Sequence, residues 1–245
     1  MSVIVIFGAT SGIATAAARQ WVARGAEFRL VSRDAESLDK LAADLRARGA
    51  ASVTTSAIDL GDRAGVEDAV DRVFDAGPID IALIAFGTMS LQEAADRSAE
   101  VAFSMLELNG TLCLLAAHLV ALRLEGQGFG QLGVIGSVAG DRGRKSNYLY
   151  GAAKAMVATG VAGLQHRLAS SAVSITLIKP GPTATPMTDH LRGGKLRLAR
   201  ADTVAADIVR GIDRGATVVY TPRKWALIMA VIRRVPRRLF ERTDL

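Results

Sequence analysis

A serine, a tyrosine and a lysine stand at spacings that suit proton transfer to a carbonyl oxygen. Tyr150 and Lys154 are four residues apart, so on a helix they lie on the same face. A phenol held beside an ammonium gives up its proton more readily than a free phenol, which makes Tyr150 a candidate proton donor near neutral pH. Ser137 lies thirteen residues before the tyrosine, at the end of an apolar run.

The elements that must position these side chains follow from the hydrophobic pattern. Apolar, β-rich runs alternate with helical patterns, which predicts βαβ units and a parallel sheet covered on both faces. The predicted strands are residues 3–7, 28–32, 52–58, 79–85, 131–135, 173–179 and 217–220. The predicted helices are residues 12–24, 35–48, 63–75, 91–107, 110–125, 147–170 and 203–214. The fold class is therefore α/β, a doubly wound parallel sheet of about seven strands in one domain over residues 1–222.

The composition fits one such domain, because half of the 245 residues are hydrophobic. Cys113 is the only cysteine, so no intrachain disulfide can form, which fits a reducing, cytoplasmic setting. The three histidines have no metal-ligand spacing, and no metal site is predicted. No apolar run reaches the ~18 residues that a membrane-spanning helix needs.

A turn rich in small residues follows the first predicted strand and leads directly into a helix. Its candidate binding residues are Gly8, Thr10, Ser11, Gly12 and Ile13. Small residues let the backbone approach a pyrophosphate, and a helix N-terminus offers unpaired N–H groups to it. The spacing is G-x-x-x-G-x-A and differs from the common dinucleotide fingerprint G-x-G-x-x-G. An ordinary turn between a strand and a helix would also explain the glycines.

The end of the second predicted strand bears on the choice of dinucleotide. Ser32 stands where NAD-selective folds carry an acidic residue, and Arg33 follows it. An arginine there accommodates a 2′-phosphate, so NADP(H) is favoured over NAD(H). Asp34 is then the N-cap of the next helix. The alternative is that Arg33 is only a solvated charge.

With the glycine turn, Ser137 and Tyr150-x-x-x-Lys154, the chain resembles the short-chain dehydrogenase/reductase family over nearly its full length. The resemblance implies NAD(P)-dependent reduction of a ketone to a secondary alcohol. It makes Tyr150 the proton donor and Ser137 the residue that binds the substrate oxygen. Lys154 would assist the tyrosine and hold the nicotinamide ribose. Asn109 matches the asparagine that supports a water relay to the lysine.

The same resemblance assigns the rest of the cofactor site. The matching positions are Asp59, Leu60, Gly87, Pro180, Gly181, Thr183 and Thr185. After the fourth strand the family usually has Asn-Ala-Gly, whereas this chain has Ala85, Phe86 and Gly87, so the asparagine amide is lost. Residues 182–199 would cover the substrate as a lid, with a hinge at the glycine pair 193–194.

The Ala85–Gly87 variant, residues 128–131, the loop before Tyr150 and the C-terminal tail are similar to a subgroup that acts on lipid-linked sugars. Its members include reductases of decaprenylphosphoryl-2-keto-ribose, which work with a flavin oxidase partner in cell-wall polysaccharide biosynthesis. This implies a keto-sugar on a polyprenyl phosphate as substrate. A soluble reductase of ordinary metabolites or acyl chains and a non-catalytic NADP-sensing regulator remain alternatives. The family also usually forms homo-oligomers.

Three cations, Arg142, Arg144 and Lys145, lie between the serine and the tyrosine. They are candidates for binding a substrate phosphate, because charged N–H groups make strong hydrogen bonds to phosphate. The alternatives are a solvated surface loop and an oligomer contact.

The C-terminal extension, residues 223–245, has seven basic and two acidic residues and a net charge of +5. Its apolar residues recur at 225, 228, 229, 232, 235 and 239, and Pro236 should end the helix. This pattern predicts a basic amphipathic helix in peripheral contact with the inner face of a membrane. The alternative is a terminal helix docked on the core or across a dimer interface. No nucleic-acid partner is predicted, because the basic cluster is terminal and poor in aromatic residues.

Overall fold

Seven parallel strands form one sheet in the computed structural model, which describes residues 2–191, 193 and 197–243. The strand order is β3-β2-β1-β4-β5-β6-β7. The strands are β1 Val3–Phe7, β2 Glu27–Ser32, β3 Ser52–Ala57, β4 Ile81–Ile84, β5 Gly130–Ile135, β6 Val173–Pro180 and β7 Val218–Thr221. All seven predicted strands are confirmed, with ends that differ from the prediction by at most two residues.

Helices cover both faces of this sheet. They are α1 Gly12–Trp21, α2 Ala35–Ala47, α3 Arg63–Asp75, α4 Gln92–Arg97, α5 Ala99–Leu106, α6 Cys113–Gln127, α7 Tyr148–Arg167, α8 Ala201–Asp213, α9 Lys224–Arg234 and α10 Arg237–Phe240. The helix predicted over residues 91–107 is two helices, because Ser98 breaks it and caps α5 by accepting the Val101 N–H. A π-helical turn, Glu107–Leu112, joins α5 to α6 where the sequence pattern predicted a gap.

Alternate residues of β1 show why the strand pattern is continuously apolar. Val5 and Phe7 pack with α3, α6 and α7, whereas Ile4 and Ile6 pack with α1, α2 and α8. Both faces of the central strands are therefore buried, as expected for a parallel sheet between two helical layers. Two apolar cores hold the sheet rigid and leave its carboxyl edge to carry the loops.

The strand order places a crevice at the carboxyl edge of the sheet. The chain winds outward from β1 to β3 and then returns to β4, which pairs with the other side of β1. In open parallel sheets, ligands bind outside the carboxyl ends of the strands at this reversal. The turns after β1 and β4 meet there, and the loops after β5 and β6 flank them.

The continuous helical stretch Ala99–Gln127 is long and apolar enough, by composition alone, to cross a membrane. Half of its most apolar window is buried inside the fold, and α6 packs against α3 and α7. Its apolar character is that of a core helix.

Candidate active site

Tyr150 and Lys154 lie in the first two turns of α7, side by side as their spacing predicts. The Lys154 ammonium is 5.8 Å from the centroid of the Tyr150 ring. Only 3 % of Lys154 is exposed, and its Nζ donates to the Ile135 carbonyl at 3.2 Å. This bond fixes the ammonium between α7 and the end of β5, so the phenol has a permanently placed cation beside it.

Ser137 follows β5 and begins a short 3₁₀ helix, Val138–Asp141. Its Oγ accepts the Ala139 N–H at 3.1 Å, which leaves the hydroxyl proton to be donated to a substrate. Two glycines let this segment lie directly on α7. A Cβ at Gly140 would lie 2.7 Å from the Lys154 carbonyl carbon, and one at Gly151 would lie 2.9 Å from the Ala139 oxygen. The serine and tyrosine elements are therefore in close contact.

Asn109 lies in the π-helical turn and is fully buried. Its Oδ1 accepts the Thr88 N–H at 3.0 Å, and its Nδ2 donates to the Met105 carbonyl at 2.9 Å. A Cβ at Gly87 would lie 2.6 Å from this Oδ1 and 3.7 Å from Lys154 Nζ. Asn109, Gly87 and Lys154 therefore meet at one point, as π-turns at functional sites often allow.

The turn after β1 fits close approach of a ligand to the backbone. Gly8 has φ +80°, and a Cβ there would lie 2.6 Å from the Phe86 nitrogen, so the turn packs against the segment after β4. Ser11 caps α1 by accepting the Ala14 N–H at 3.3 Å. Gly12 faces Thr185, because a Cβ at Gly12 would lie 2.9 Å from the Thr185 methyl group. Two predicted cofactor segments thus meet at the start of α1, where Ile13 is half-buried.

The end of β2 carries the groups expected around a 2′-phosphate. The Thr10 and Ser32 hydroxyls are hydrogen-bonded at 2.8 Å, which joins this strand to the glycine turn. Asp34 caps α2, since it accepts the Ser37 N–H at 3.1 Å and the Ser37 hydroxyl at 2.5 Å. These bonds hold the pKa of Asp34 below its usual value. Arg33 is exposed and forms no ion pair within the described part of the chain.

Asp59 and Leu60 follow β3 and differ in what they offer to an adenine. Asp59 is exposed, and its Oδ1 accepts the Gly61 N–H at 3.0 Å, so the carboxylate lies in its own turn. The Leu60 side chain is buried in the core beside α3. The Leu60 side chain therefore faces the core, and a contact of its backbone with the cofactor stays a prediction.

The loop after β6 is fixed by three threonines. Thr183 Oγ1 donates to the Gly181 carbonyl at 2.9 Å. The hydroxyl of Thr188, which the sequence did not single out, bonds the Thr183 carbonyl and accepts the Thr185 N–H at 3.2 Å. Gly181 directly follows Pro180, the last residue of β6, and its N–H donates to the Thr221 carbonyl at 2.9 Å. Residues 192 and 194–196 lie outside the described residues, so the lid hinge at the glycine pair stays a prediction.

Arg142 and Arg144 have different surroundings, although both were predicted to bind phosphate. The Arg142 guanidinium donates to the Ile232 carbonyl and, at 2.7 Å, to the Val235 carbonyl, and it stacks 3.9 Å from the centroid of the Phe240 ring. These contacts hold Arg142 against the C-terminal segment, and its predicted role in binding phosphate stays a prediction. Arg144 is half-buried, its Nε has no hydrogen-bond partner among the described residues, and burial lowers its pKa. Lys145 is exposed.

The C-terminal helices pack against the domain. The break between α9 and α10 falls at Val235 and Pro236, as predicted. Met229 is only 2 % exposed, and a Cβ at Gly181 would collide with the Trp225 indole, whereas Leu227 is 73 % exposed. Of the predicted stripe, Met229 is buried and residues 225, 228, 232 and 235 are half-buried, whereas Leu239 is 57 % exposed. Most of the stripe therefore faces the protein, which supports the alternative of a helix docked on the core, and contact with a membrane stays a prediction.

Helix α4 holds the first turn of α7, a contact that the sequence analysis missed. Asn147 at the N-cap makes no capping hydrogen bond through its side chain. Instead, Gln92 Oε1 accepts the Leu149 N–H at 3.3 Å, and the Tyr148 hydroxyl donates to Asp96 at 3.0 Å. The signal that could have indicated this contact is the unsatisfied N–H groups that every helix start presents.

The described residues support neither a metal centre nor a reactive thiol. No cluster of three or more His, Cys, Asp or Glu side chains that could hold a metal ion occurs among them. Cys113 is fully buried, and burial raises the pKa of its thiol, as is typical of a cysteine that packs as a small apolar side chain.

A doubly wound sheet with a buried lysine, a tyrosine and a serine gathered at its carboxyl edge defines an oxidoreductase that uses a nicotinamide dinucleotide. The family model for short chain dehydrogenases matches residues 2–195. The chain belongs to the short-chain dehydrogenase family.

Known relatives cover nearly the whole chain. An uncharacterized oxidoreductase of Streptomyces coelicolor is 34% identical over 98% of this chain and 94% of its own length. One from Mycobacterium tuberculosis is 35% identical over 98% of this chain and 96% of its own. The solved structure of a short-chain dehydrogenase from Sphingobium yanoikuyae, in complex with NADPH, has a TM-score of 0.84 at 26% identity and covers 97% of both chains.

Proposed function

We propose that this protein reduces a ketone to a secondary alcohol with NADPH, and that Tyr150 donates the proton. The observation that carries the proposal is the buried Lys154 ammonium, fixed by the Ile135 carbonyl beside the Tyr150 ring. Burying a lysine is costly unless its charge is used or compensated. Here the cation stabilises the phenolate that forms when the proton leaves.

The serine and the tyrosine act on the same oxygen. Tyr150 gives its proton to the carbonyl oxygen as that oxygen gains negative charge, and the Ser137 hydroxyl donates a second hydrogen bond to it. Asn109 and Gly87 lie close to the Lys154 ammonium, because a Cβ at Gly87 would be 2.6 Å from Asn109 Oδ1 and 3.7 Å from Lys154 Nζ. When bound, the nicotinamide supplies the hydride to the carbonyl carbon.

The residues present fit NADPH. The glycine turn and the start of α1 offer small residues and N–H groups to the pyrophosphate. Arg33, without an acidic partner in the described chain, and the Thr10 and Ser32 hydroxyls offer donors to a 2′-phosphate. Because Asp34 is engaged in capping α2, it does not take the place of the acidic residue that NAD-selective folds use. The Sphingobium relative, which is in complex with NADPH, supports the same preference.

The substrate proposed here carries a phosphate, as in a keto-sugar on a polyprenyl phosphate. Arg144 supports this, because it is a half-buried cation with an unpaired Nε in the loop between Ser137 and Tyr150, and it has no acidic partner among the described residues. A cation in this position gains most from an anionic ligand. A neutral metabolite or an acyl chain would leave Arg144 without a partner.

The proposed enzyme also self-associates through the helices that carry its site. Phe103 on α5 and Met156 on α7 are both exposed, although these helices hold Asn109 and Tyr150 in place. Large apolar side chains on neighbouring helices are typical of a homo-oligomer interface.

NADPH oxidation measured with a panel of ketones tests the function. The panel contains simple aliphatic ketones, free keto-sugars and keto-sugars that carry a phosphate. We expect turnover to the secondary alcohol, with the highest kcat/KM for a phosphate-bearing ketone. Arg144→Ala should remove that preference, whereas Arg63→Ala, which removes an exposed arginine paired with Glu67 on α3, should keep it. A protein that binds NADPH tightly and turns over no ketone would instead be a sensor of NADPH.

A further inference from the structure

A largely buried cluster joins elements that flank the proposed reaction centre and uses none of the residues assigned above. Asp141 Oδ1 is 2.5 Å from Lys179 Nζ, and Asp141 Oδ2 accepts the Tyr220 hydroxyl at 2.7 Å. The Lys179 ammonium also lies 5.5 Å from the centroid of the Tyr220 ring. The Asp141 side chain is 2 % exposed and that of Lys179 is 11 % exposed.

The three residues come from the elements that surround the reaction centre. Asp141 ends the 3₁₀ helix that Ser137 begins. Lys179 directly precedes Pro180 and Gly181, the start of the proposed nicotinamide loop. Tyr220 lies on β7, which leads into the C-terminal helices. One carboxylate therefore joins the serine loop to the nicotinamide loop and to the edge strand.

Stability alone is a poor reason for such a cluster. Taking an aspartate and a lysine out of water costs several kcal/mol per ion, by order of magnitude, and apolar residues of similar volume often stabilise a core equally well. A carboxylate with both oxygens engaged gives directional contacts that apolar packing does not. The cluster fixes the distance between two loops that must hold a substrate and a cofactor in register.

Arg142, the next residue, extends the same connection outward. Its guanidinium binds the Ile232 and Val235 carbonyls at the end of α9. Trp225, at the other end of α9, lies against Gly181. The C-terminal segment thus contacts the serine loop through Arg142 and the nicotinamide loop through Trp225.

We propose that Asp141 is a positioning residue of the active site, which fixes the Ser137 loop to the Gly181 loop through Lys179 and Tyr220, and that the C-terminal helices complete this support through Arg142. This inference rests on the proposed function for its effect on turnover, and its structural part can be tested without turnover. Asp141 touches neither the reacting atoms nor the cofactor site, so it acts through the placement of Ser137.

Hydrogen exchange followed by mass spectrometry tests the structural part. We compare the wild type with Asp141→Asn and Tyr220→Phe, and use Asp213→Asn as a control that removes a more exposed ion pair with Arg24 at the opposite edge of the sheet. In Asp141→Asn, peptides covering residues 136–142 and 180–185 should exchange about fivefold faster or more, with α1 unchanged. Equal exchange in the wild type, Asp141→Asn and Tyr220→Phe would overturn the proposal.

Steady-state kinetics separates positioning from mere stability. Well below the melting temperature, Asp141→Asn should lower kcat by about 10-fold or more, with the Kd for NADPH changed by less than about threefold. Tyr220→Phe, which loses one hydrogen bond and keeps the ion pair, should show a smaller drop in kcat and serves if Asp141→Asn does not fold. If folded variants keep the wild-type kcat while only their melting temperatures fall, the cluster is structural and the proposal fails. A wild type without turnover would refute the proposed function, and hydrogen exchange would still decide this inference.

Discussion

Two cationic, partly apolar regions differ in what their sequences indicate: residues 137–154, which contain the proposed catalytic side chains, and the C-terminal residues 223–243, which pack against them through Arg142. In the first, spacing within one helix determines which side chains meet, so the Tyr150 and Lys154 pair was predictable. In the second, the apolar period correctly indicated a buried face of α9 without indicating what covers it. The lesson is that periodicity identifies the face of a helix that is buried, and only the tertiary fold identifies its partner.

Lys154→Met tests the first region, residues 137–154, where a large loss of activity is expected. The variant removes the buried ammonium beside Tyr150 and should lower kcat by about 100-fold or more, within the range of a general acid–base contribution. Initial rates of NADPH oxidation measure the loss. Lys40→Met removes an exposed lysine of α2 and should retain wild-type activity. A Lys154→Met enzyme with kcat near that of the wild type would remove the lysine from the mechanism.

Met229→Ala and Leu227→Ala test the second region, because the first removes a buried side chain of α9 and the second removes an exposed one. Because Met229 is buried against the domain, its truncation should lower the free energy of unfolding by about 2–5 kcal/mol. Leu227 is exposed on the same helix, and its truncation should change the free energy by less than about 0.5 kcal/mol. Urea unfolding measures both. Equal effects, or binding to anionic vesicles that requires Met229, would support the membrane interpretation of the stripe.

Arg33→Ala tests the proposed preference for NADPH over NADH. Loss of a charged hydrogen bond to the 2′-phosphate should raise the KM for NADPH by about 10-fold. The KM for NADH, which lacks that phosphate, should change little. An equal change in the KM for NADPH and the KM for NADH would mean that Arg33 does not bind the 2′-phosphate.

The smallest expected effect is a pH dependence at Tyr220. Burial, together with the hydrogen bond and charge of Asp141, raises the pKa of Tyr220 to about 12, whereas a free tyrosine has a pKa of about 10. The folded protein therefore holds this proton in a window where the unfolded chain releases it. The resulting stability is fully present below pH about 10 and is lost as the pH rises to about 12.

Unfolding free energies measured from pH 9 to 12 check this prediction. The wild type should lose stability more steeply than Tyr220→Phe across the window, because the variant has no phenol to ionise. Parallel curves for the two proteins would show that Tyr220 titrates normally and that its contact with Asp141 is weak.

The sequence predicted the sheet and the catalytic helix because their signals are local. All seven strands were apolar runs of the right length, and residues 150 and 154 share a helix face by geometry alone. The link between Asp141, Lys179 and Tyr220 joins three elements far apart in the chain. An acid in a basic loop and a lysine at a strand end gave no indication that they meet.

The same reason explains two residues whose surroundings the sequence did not indicate. Leu60 was assigned from the family resemblance and Arg142 from its place in the loop before Tyr150, whereas the contacts of both depend on what lies beside those segments. The Leu60 side chain packs in the core beside α3, and the Arg142 guanidinium binds a carbonyl at the end of α9. The π-turn at Asn109 was predicted as a gap between two helices, because one wider turn shifts the apolar period of a helix.

Tyr150→Phe tests the central claim most directly, because it removes one hydroxyl and keeps the ring beside Lys154. With a ketone that the wild type reduces, the variant should lose about 10³-fold in kcat while its Kd for NADPH, measured by fluorescence, stays within about threefold of the wild type. A Tyr150→Phe enzyme that keeps more than about a tenth of the wild-type kcat would contradict the assignment of Tyr150 as the proton donor.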